Sequence, residues 1–202
     1  SDNTANDVLL WQAGGPDAVR KFIADRNLGA IRFGPGERLL QSRIAGLEWR
    51  QELAIGNRFF DERAKLSYDS RSRALNAYLA DPYDGAQPEA ITHALDRLAR
   101  GELLSAASTA YILGTLERTR SGPNRLKGGL PAGWQFLHKT GTGQQLGGTQ
   151  TGFNDIGIMT APDATRYAVV VMLSDTTAGG ADRMAMMRKV SAAVARYHDR
   201  NR

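Results

Sequence analysis

Apolar residues recur at helical spacing through the first two-thirds of the chain. Val19, Phe22 and Ile23 follow Pro16 on one helical face, and proline at a first helical position indicates a helix start. The segment from about 32 to 68 shows no regular spacing, which predicts a long loop with short helical pieces. Loops of that length are usually functional. Helical spacing returns over residues 70–79, 88–99 and 104–116.

The spacing changes from helical to alternating after Gly133. Residues 167–173 are apolar on both faces, so we expect a central, covered strand there. Helices followed by strands and a closing helix predict an α+β fold, an antiparallel sheet with a packed C-terminal helix. We expect a mainly helical part over 1–130 and a strand-rich part over 131–202. The predicted strands are 134–138, 149–160 and 166–174, and the closing helix is 182–197.

Composition narrows the classes of function. The 202 residues are 42% hydrophobic and 23% charged, which suits one globular domain or part of one. The net charge of +5 is spread along the chain, which favours a solvated surface over nucleic-acid binding. Cysteine is absent, and no apolar run reaches the length of a membrane span. The three histidines lack ligand spacing, so we predict neither a metal site nor a cofactor.

Two short motifs carry the candidate chemistry. Ser1-Asp2-Asn3 opens the chain, and Lys139-Thr140-Gly141 continues into Thr142 within the strand-rich part. Serine hydrolases that open the β-lactam ring share these two tripeptides together with S-x-x-K. Either tripeptide alone is weak evidence. Their order, with a strand around the second, is much less expected by chance.

The chain resembles class A β-lactamases over nearly its whole length. The resemblance rests on the two tripeptides and on further matching stretches. Residues 42–86 fit poorly and look longer than the family needs. The further stretches are Gly14-Gly15-Pro16, Gly101-Glu102-Leu103-Leu104, Leu130-Pro131-Ala132-Gly133-Trp134 and Asn154-Asp155-Ile156.

The resemblance implies hydrolysis of a β-lactam through a serine acyl-enzyme in the periplasm or outside the cell. It assigns proton relay to Ser1 and a fixed positive charge to Lys139. The Thr142 backbone N–H becomes a donor to the developing oxyanion. Asn3 would bind the substrate's side-chain carbonyl. Thr140, Gly141 and Thr142 would line the site, and the two threonine hydroxyls would bind the substrate carboxylate.

The resemblance also implies a glutamate that activates the deacylating water. Glu37-Arg38-Leu39-Leu40-Gln41 matches the family's Glu-x-x-Leu-Asn without a gap counted from Ser1, with Gln41 in place of asparagine. A rival alignment pairs Trp49 to Leu53 with that loop and puts Arg50 where the base should be. We prefer Glu37 because it needs no upstream insertion, with Glu48 or Glu52 as the next candidates.

A substrate carboxylate favours arginine as a partner. Thr149 stands where many relatives have arginine, while Arg125 has the spacing that other members use. An exposed arginine without a role is the competing interpretation of Arg125. We expect His138, beside Lys139, to sit on a strand with one edge in water.

No S-x-x-K motif occurs in the 202 residues. By resemblance, that motif lies on a helix upstream of Ser1, so we expect a longer chain whose preceding segment carries the nucleophile and packs on this one. The alternatives are a D-alanyl-D-alanine peptidase or slow penicillin-binding enzyme, and a non-catalytic peptidoglycan or β-lactam binder. A further alternative makes Ser1 an N-terminal nucleophile, but the order of elements and Lys139-Thr140-Gly141 argue against it.

Overall fold

A computed structural model describes residues 2–201 of the chain. The helices are α1 (Asn3–Gln12), α2 (Gly15–Asp25), α3 (Glu37–Ala45), α4 (Arg58–Lys65), α5 (Tyr68–Ala80), α6 (Pro88–Ala99), α7 (Ala106–Glu117) and α8 (Gly180–Arg200). The strands are β1 (Ile31–Arg32), β2 (Gly85–Ala86), β3 (Gln135–Thr142), β4 (Gln145–Leu146), β5 (Thr149–Thr160) and β6 (Arg166–Thr176). The predicted α+β class is confirmed. None of the described helices is long and apolar enough to cross a membrane.

The chain folds into two compact units. The first contains the residues up to Gln87 together with Gln144–Thr149, and the second contains Pro88–Gly143 and the residues from Gln150 onward. The predicted division near residue 130 concerns the change from helices to strands, and it stays a prediction.

The first unit is built from α1 to α5. Local chemistry explains where several of these helices begin: the Asp2 side chain accepts from Ala5 N at 2.8 Å, and Ser67 accepts from Ser70 N at 3.2 Å. Leu40 and Ile44 of α3 pack with Leu75 of α5 to form a small core. That core holds α3, which lies near the beginning of the segment predicted to be a long loop with short helical pieces.

The second unit contains the sheet. β5 pairs antiparallel with both β3 and β6, so β5 is the central strand among the three. β6 pairs with β5 along one edge, and among the described residues no other strand lies along its second edge. The expectation that 167–173 is a central, covered strand stays a prediction. Most residues of β6 are half-buried.

α8 packs against the sheet and against a short 3₁₀ turn at Leu126–Gly129. Leu126, Met159 and Met187 are fully buried at this contact. The Ser191 hydroxyl donates to the Leu126 carbonyl at 2.7 Å, which ties α8 to the turn just after Arg125. A Cβ on Gly129 would overlap the Arg188 carbonyl oxygen, so the approach of turn and helix requires glycine.

We therefore predict that Gly129→Ala lowers the free energy of unfolding by about 2 kcal/mol or more, because the backbone of α8 must move away from the turn. Gly114→Ala is the matched control. It lies inside α7, and its Cβ would meet only the end of the Arg118 side chain at 3.5 Å. Helix propensity favours that change by roughly 0.5–1 kcal/mol. Chemical denaturation of both variants measures the difference, and equal stabilities would contradict the prediction.

Candidate active site

The first two turns of α3 carry a carboxylate and an amide on one face. Glu37 and Gln41 are one helical turn apart, and Gln41 Nε2 donates to Glu37 Oε2 at 3.3 Å. Gln144 Nε2 donates to the Gln41 carbonyl at 2.8 Å and to Gln41 Oε1 at 3.0 Å. The Gln41 amide is therefore held on both sides, with its nitrogen toward Glu37.

A buried aspartate on α1 anchors the beginning of α3. Asp7 is 2% exposed, and its Oδ1 accepts from Glu37 N at 2.7 Å. Its Oδ2 accepts from Arg38 N at 3.0 Å and from Arg38 Nε at 2.7 Å. Asp7 thus satisfies two of the free N–H groups at the helix start and pairs with a charge.

Gly36 makes this approach possible. Its φ is 99°, a left-handed region that L side chains rarely adopt. A Cβ at Gly36 would lie 3.0 Å from Asp7 Oδ1 and 3.1 Å from a methyl group of Leu10. Glycine therefore lets α3 begin directly against the Asp7 carboxylate, and this contact fixes the position of Glu37.

Asn3, Glu37 and Gln41 line one cavity of about 520 Å³ in the first unit. Ser1, the predicted proton relay, lies outside the described residues. Trp49 of the rival alignment also lines this cavity, whereas Arg50, which that alignment would place at the base position, does not. The geometry thus gathers Asn3, Glu37 and Gln41 in one place.

In the second unit Arg125 is buried under the end of β3. Its Nη2 donates to Thr142 Oγ1 at 2.6 Å, and its Nη1 donates to the carbonyls of Gly141 at 2.8 Å and Asn154 at 2.6 Å. Its guanidinium lies 3.8 Å from the centre of the Phe153 ring. The interpretation of Arg125 as an exposed residue is wrong, because only 9% of it is exposed.

The surroundings of Arg125 also affect its pKa. Burial lowers the pKa of Arg125, and the nearby Asp155 opposes this effect while Arg183 adds to it. Arg183 lies against the same Phe153 ring at 4.7 Å. The second unit therefore contains two guanidinium groups on one aromatic ring, next to the Thr142 hydroxyl.

The motif Lys139-Thr140-Gly141 lies within β3, which runs through Thr142 rather than ending at His138 as predicted. Thr140 Oγ1 shares a 2.7 Å hydrogen bond with the Ser121 hydroxyl. Lys139 Nζ donates to the Thr140 carbonyl. The motif and the following Thr142 thus lie along one strand, and Arg125 is hydrogen-bonded to the end of that strand.

Two buried polar residues support this strand, and sequence reasoning missed their roles. His138 is fully buried, so the expectation of an edge in water is wrong, and its Nδ1 lies 2.8 Å from Asp155 Oδ1. Asp155 Oδ2 accepts from Leu126 N at 3.1 Å. Asp155 therefore holds the strand before Lys139 and the turn after Arg125 at the same time. Asp155 was visible only as part of the matching stretch Asn154-Asp155-Ile156.

Asp7 was also missed. The segment from Asp7 to Gln12 reads as apolar, which hides a buried charge at its first position. The available signal is that Asn3 and Asp7 are four residues apart and so share a face of α1.

Comparison with known proteins identifies the family. Residues 1–198 match the Beta-lactamase enzyme family. The chain belongs to this family. A beta-lactamase of Mycobacterium tuberculosis is 33% identical over 198 residues, which are 96% of this chain and 53% of that enzyme. The crystal structure of the TLA-1 extended-spectrum beta-lactamase covers 96% of this chain, with 26% identity and a TM-score of 0.71.

An ancestral class A beta-lactamase covers 97% of this chain with 26% identity and a TM-score of 0.68, and the chain covers 60% of it. The chain covers 58% of the TLA-1 structure. It therefore spans about half to three-fifths of the length of these relatives, and it shares the class A fold over that part.

We predict that Asp7→Ala lowers the free energy of unfolding by about 3 kcal/mol, because the Arg38 guanidinium and two N–H groups of α3 lose their carboxylate partner. Asp7→Asn should cost less, since its amide oxygen still accepts one N–H. Asp25→Ala is the control. Asp25 pairs with Lys21 at 2.7 Å on the surface, and such pairs contribute about 0.5 kcal/mol. Denaturation curves compare the three, and a loss for Asp7→Ala no larger than for Asp25→Ala would contradict the anchoring role.

Proposed function

We propose that the protein hydrolyses β-lactams through a serine acyl-enzyme. The observation that carries the proposal is the Glu37–Gln41 pair at the start of α3, anchored by Asp7, in a chain of the beta-lactamase family. A carboxylate beside a fixed amide can hold a water and take its proton. The substrate is then a small molecule with an acylating carbonyl.

The acylation step is assigned by resemblance. The nucleophilic serine belongs to a part of the protein outside these 202 residues, since no S-x-x-K occurs in them. Its attack forms the acyl bond and breaks the lactam C–N bond. The resemblance gives Ser1 the relay of a proton to the leaving nitrogen and gives Lys139 the role of a fixed positive charge. The Thr142 N–H stabilises the oxyanion, and Asn3 binds the side-chain carbonyl.

Carboxylate binding is assigned to the end of β3. Thr140 and Thr142 supply hydroxyl donors and Gly141 supplies backbone without a side chain in the way. Arg125 supplies the positive charge and, through its 2.6 Å bond to Thr142 Oγ1, orients that hydroxyl. The bonds from Arg125 Nη1 to the carbonyls of Gly141 and Asn154 hold the guanidinium beside that hydroxyl.

Deacylation is assigned to Glu37. It removes a proton from a water held with Gln41, and the hydroxide attacks the ester carbon and releases the serine.

We also propose a periplasmic or secreted location, which rests on the family alone.

Hydrolysis of a chromogenic cephalosporin by the complete protein tests the function. Steady turnover is the expected result. A burst of acylation without turnover would favour the peptidase or slow penicillin-binding alternative. The observation behind that alternative is Gln41, whose side chain is longer than the asparagine that the family has at this position. Binding without acylation would favour a non-catalytic binder and contradict the proposal.

We predict that Glu37→Gln leaves acylation measurable and slows deacylation by about 10²–10⁴, because the general base is lost while the acylating groups remain. Mass spectrometry after mixing with a penicillin should show the adduct persisting, while the unchanged protein clears it. Glu52→Gln is the control, since Glu52 is exposed and does not line the cavity. Trapping by Glu52→Gln instead of Glu37→Gln would place the base elsewhere.

We predict that Arg125→Lys raises KM for carboxylate-bearing lactams by about 10–100-fold with a smaller effect on kcat, because lysine cannot keep the Thr142 contact and the paired donors. The same lactam with its carboxylate esterified should show no change between variants. Arg118→Lys, at the exposed end of α7, serves as the control. An unchanged KM for Arg125→Lys would remove Arg125 from substrate binding.

A further inference from the structure

A second buried arginine lies near Arg125. Arg183 stands near the beginning of α8, is 9% exposed, and has its Nε and Nη1 enclosed by protein. Neither nitrogen donates a hydrogen bond to any of residues 2–201, and no carboxylate in that range forms an ion pair with Arg183. Because protein atoms already enclose both nitrogens, a further segment packed on the chain cannot supply their partner without opening this site. Such a charge is costly to bury, so its presence needs a physical reason.

Arg183 shares an aromatic ring with Arg125. Its guanidinium carbon lies 4.7 Å from the centre of the Phe153 ring, and that of Arg125 lies 3.8 Å from the same centre. The ring face attracts each cation, although the two cations repel each other. Phe153 is paired directly with Thr142 across β5 and β3, so both side chains lie on one face of the sheet. The ring therefore holds two like charges on the face of the sheet that carries the Thr142 hydroxyl.

The buried charges around this ring do not cancel. Burial lowers the pKa of Arg125, and among the charged groups Asp155 opposes this effect while Arg183 adds to it. The two oxygens of the Asp155 carboxylate already contact other groups, at 2.8 and 3.1 Å. One carboxylate thus stands against two guanidinium groups, which leaves a surplus positive charge at the end of β3. Thr142 is exposed, so an anion that binds there meets this charge.

We propose that Arg183 is a specificity-determining residue of an oxyanion site at the end of β3, where it adds a second positive charge to that of Arg125. Arg183 acts through its electrostatic field and not by contact, because its Nε and Nη1 are enclosed. The unpaired charge destabilises the protein without ligand, and a bound oxyanion offsets part of that cost. In the proposed function, on which this identification rests, the oxyanion is the carboxylate of the β-lactam.

The first test uses Arg183→Met in the complete protein, which removes the charge and keeps an apolar side chain. The free energy of unfolding should stay unchanged or increase, because an unpaired buried charge is lost. KM for a carboxylate-bearing lactam should rise by about 10-fold with kcat nearly unchanged, since charges near a protein surface interact at an effective dielectric constant of about 20. The same lactam with its carboxylate esterified should show no change.

Arg196→Met is the matched control, because it removes the same charge from an exposed position on the same helix. It should leave KM for both lactams unchanged. A purely structural role of Arg183 has the opposite signature. If Arg183→Met unfolds or loses stability, Arg183 belongs to the packing of α8 and the proposal is overturned.

The second test uses inorganic phosphate, an oxyanion that cannot react. In calorimetry at constant ionic strength, Arg183→Met should bind phosphate about 10-fold more weakly than the unchanged protein and Arg196→Met. If this difference appears while no lactam is hydrolysed, the proposed function fails and the oxyanion site is supported. If lactams are hydrolysed while Arg183→Met changes neither KM nor phosphate affinity, the function stands and the role of Arg183 is overturned. Absence of both hydrolysis and phosphate binding overturns both proposals.

Discussion

A single buried carboxylate controls the geometry of the first unit. Asp7 lies on α1, and its two carboxylate oxygens fix the first N–H groups of α3 and the Arg38 side chain. Burying a charge is costly unless it is paired and hydrogen-bonded, so α3 can start in only one place. That place decides where Glu37 and Gln41 lie. The position of Trp49 depends on it as well, since the Arg38 guanidinium lies over the Trp49 ring.

The second unit uses the same physical device. Asp155 is fully buried and joins His138 of β3 to the N–H of Leu126, and the neighbouring Arg125 reaches back to the end of β3. Polar groups removed from water must find partners, and few arrangements provide all of them. The strand that carries Lys139 and the turn that carries Arg125 are consequently held in one arrangement. In both units a buried aspartate orders residues that are themselves partly exposed.

Much of the fold could be predicted because the signal is local. The helix over 88–99 and the strand over 149–160 have the predicted bounds, since each pattern repeats within the element itself. The strand around Lys139 was predicted too short, because its glycine and threonines lack an apolar pattern and β5 pairing extends it. The order of β3, β5 and β6 depends on which strand edges pair through hydrogen bonds, which the pattern within one strand does not determine.

The sequence by itself determined the α+β class, most helices and strands, and the residue types that carry the chemistry, because spacing and short motifs are properties of neighbouring positions. Only the tertiary structure decided which polar residues are buried and what they contact. Asp7 and Glu37 are 30 positions apart, and Leu126 and Asp155 are 29 apart. An aspartate can cap any nearby helix start, so its partner depends on how the core packs and excludes water.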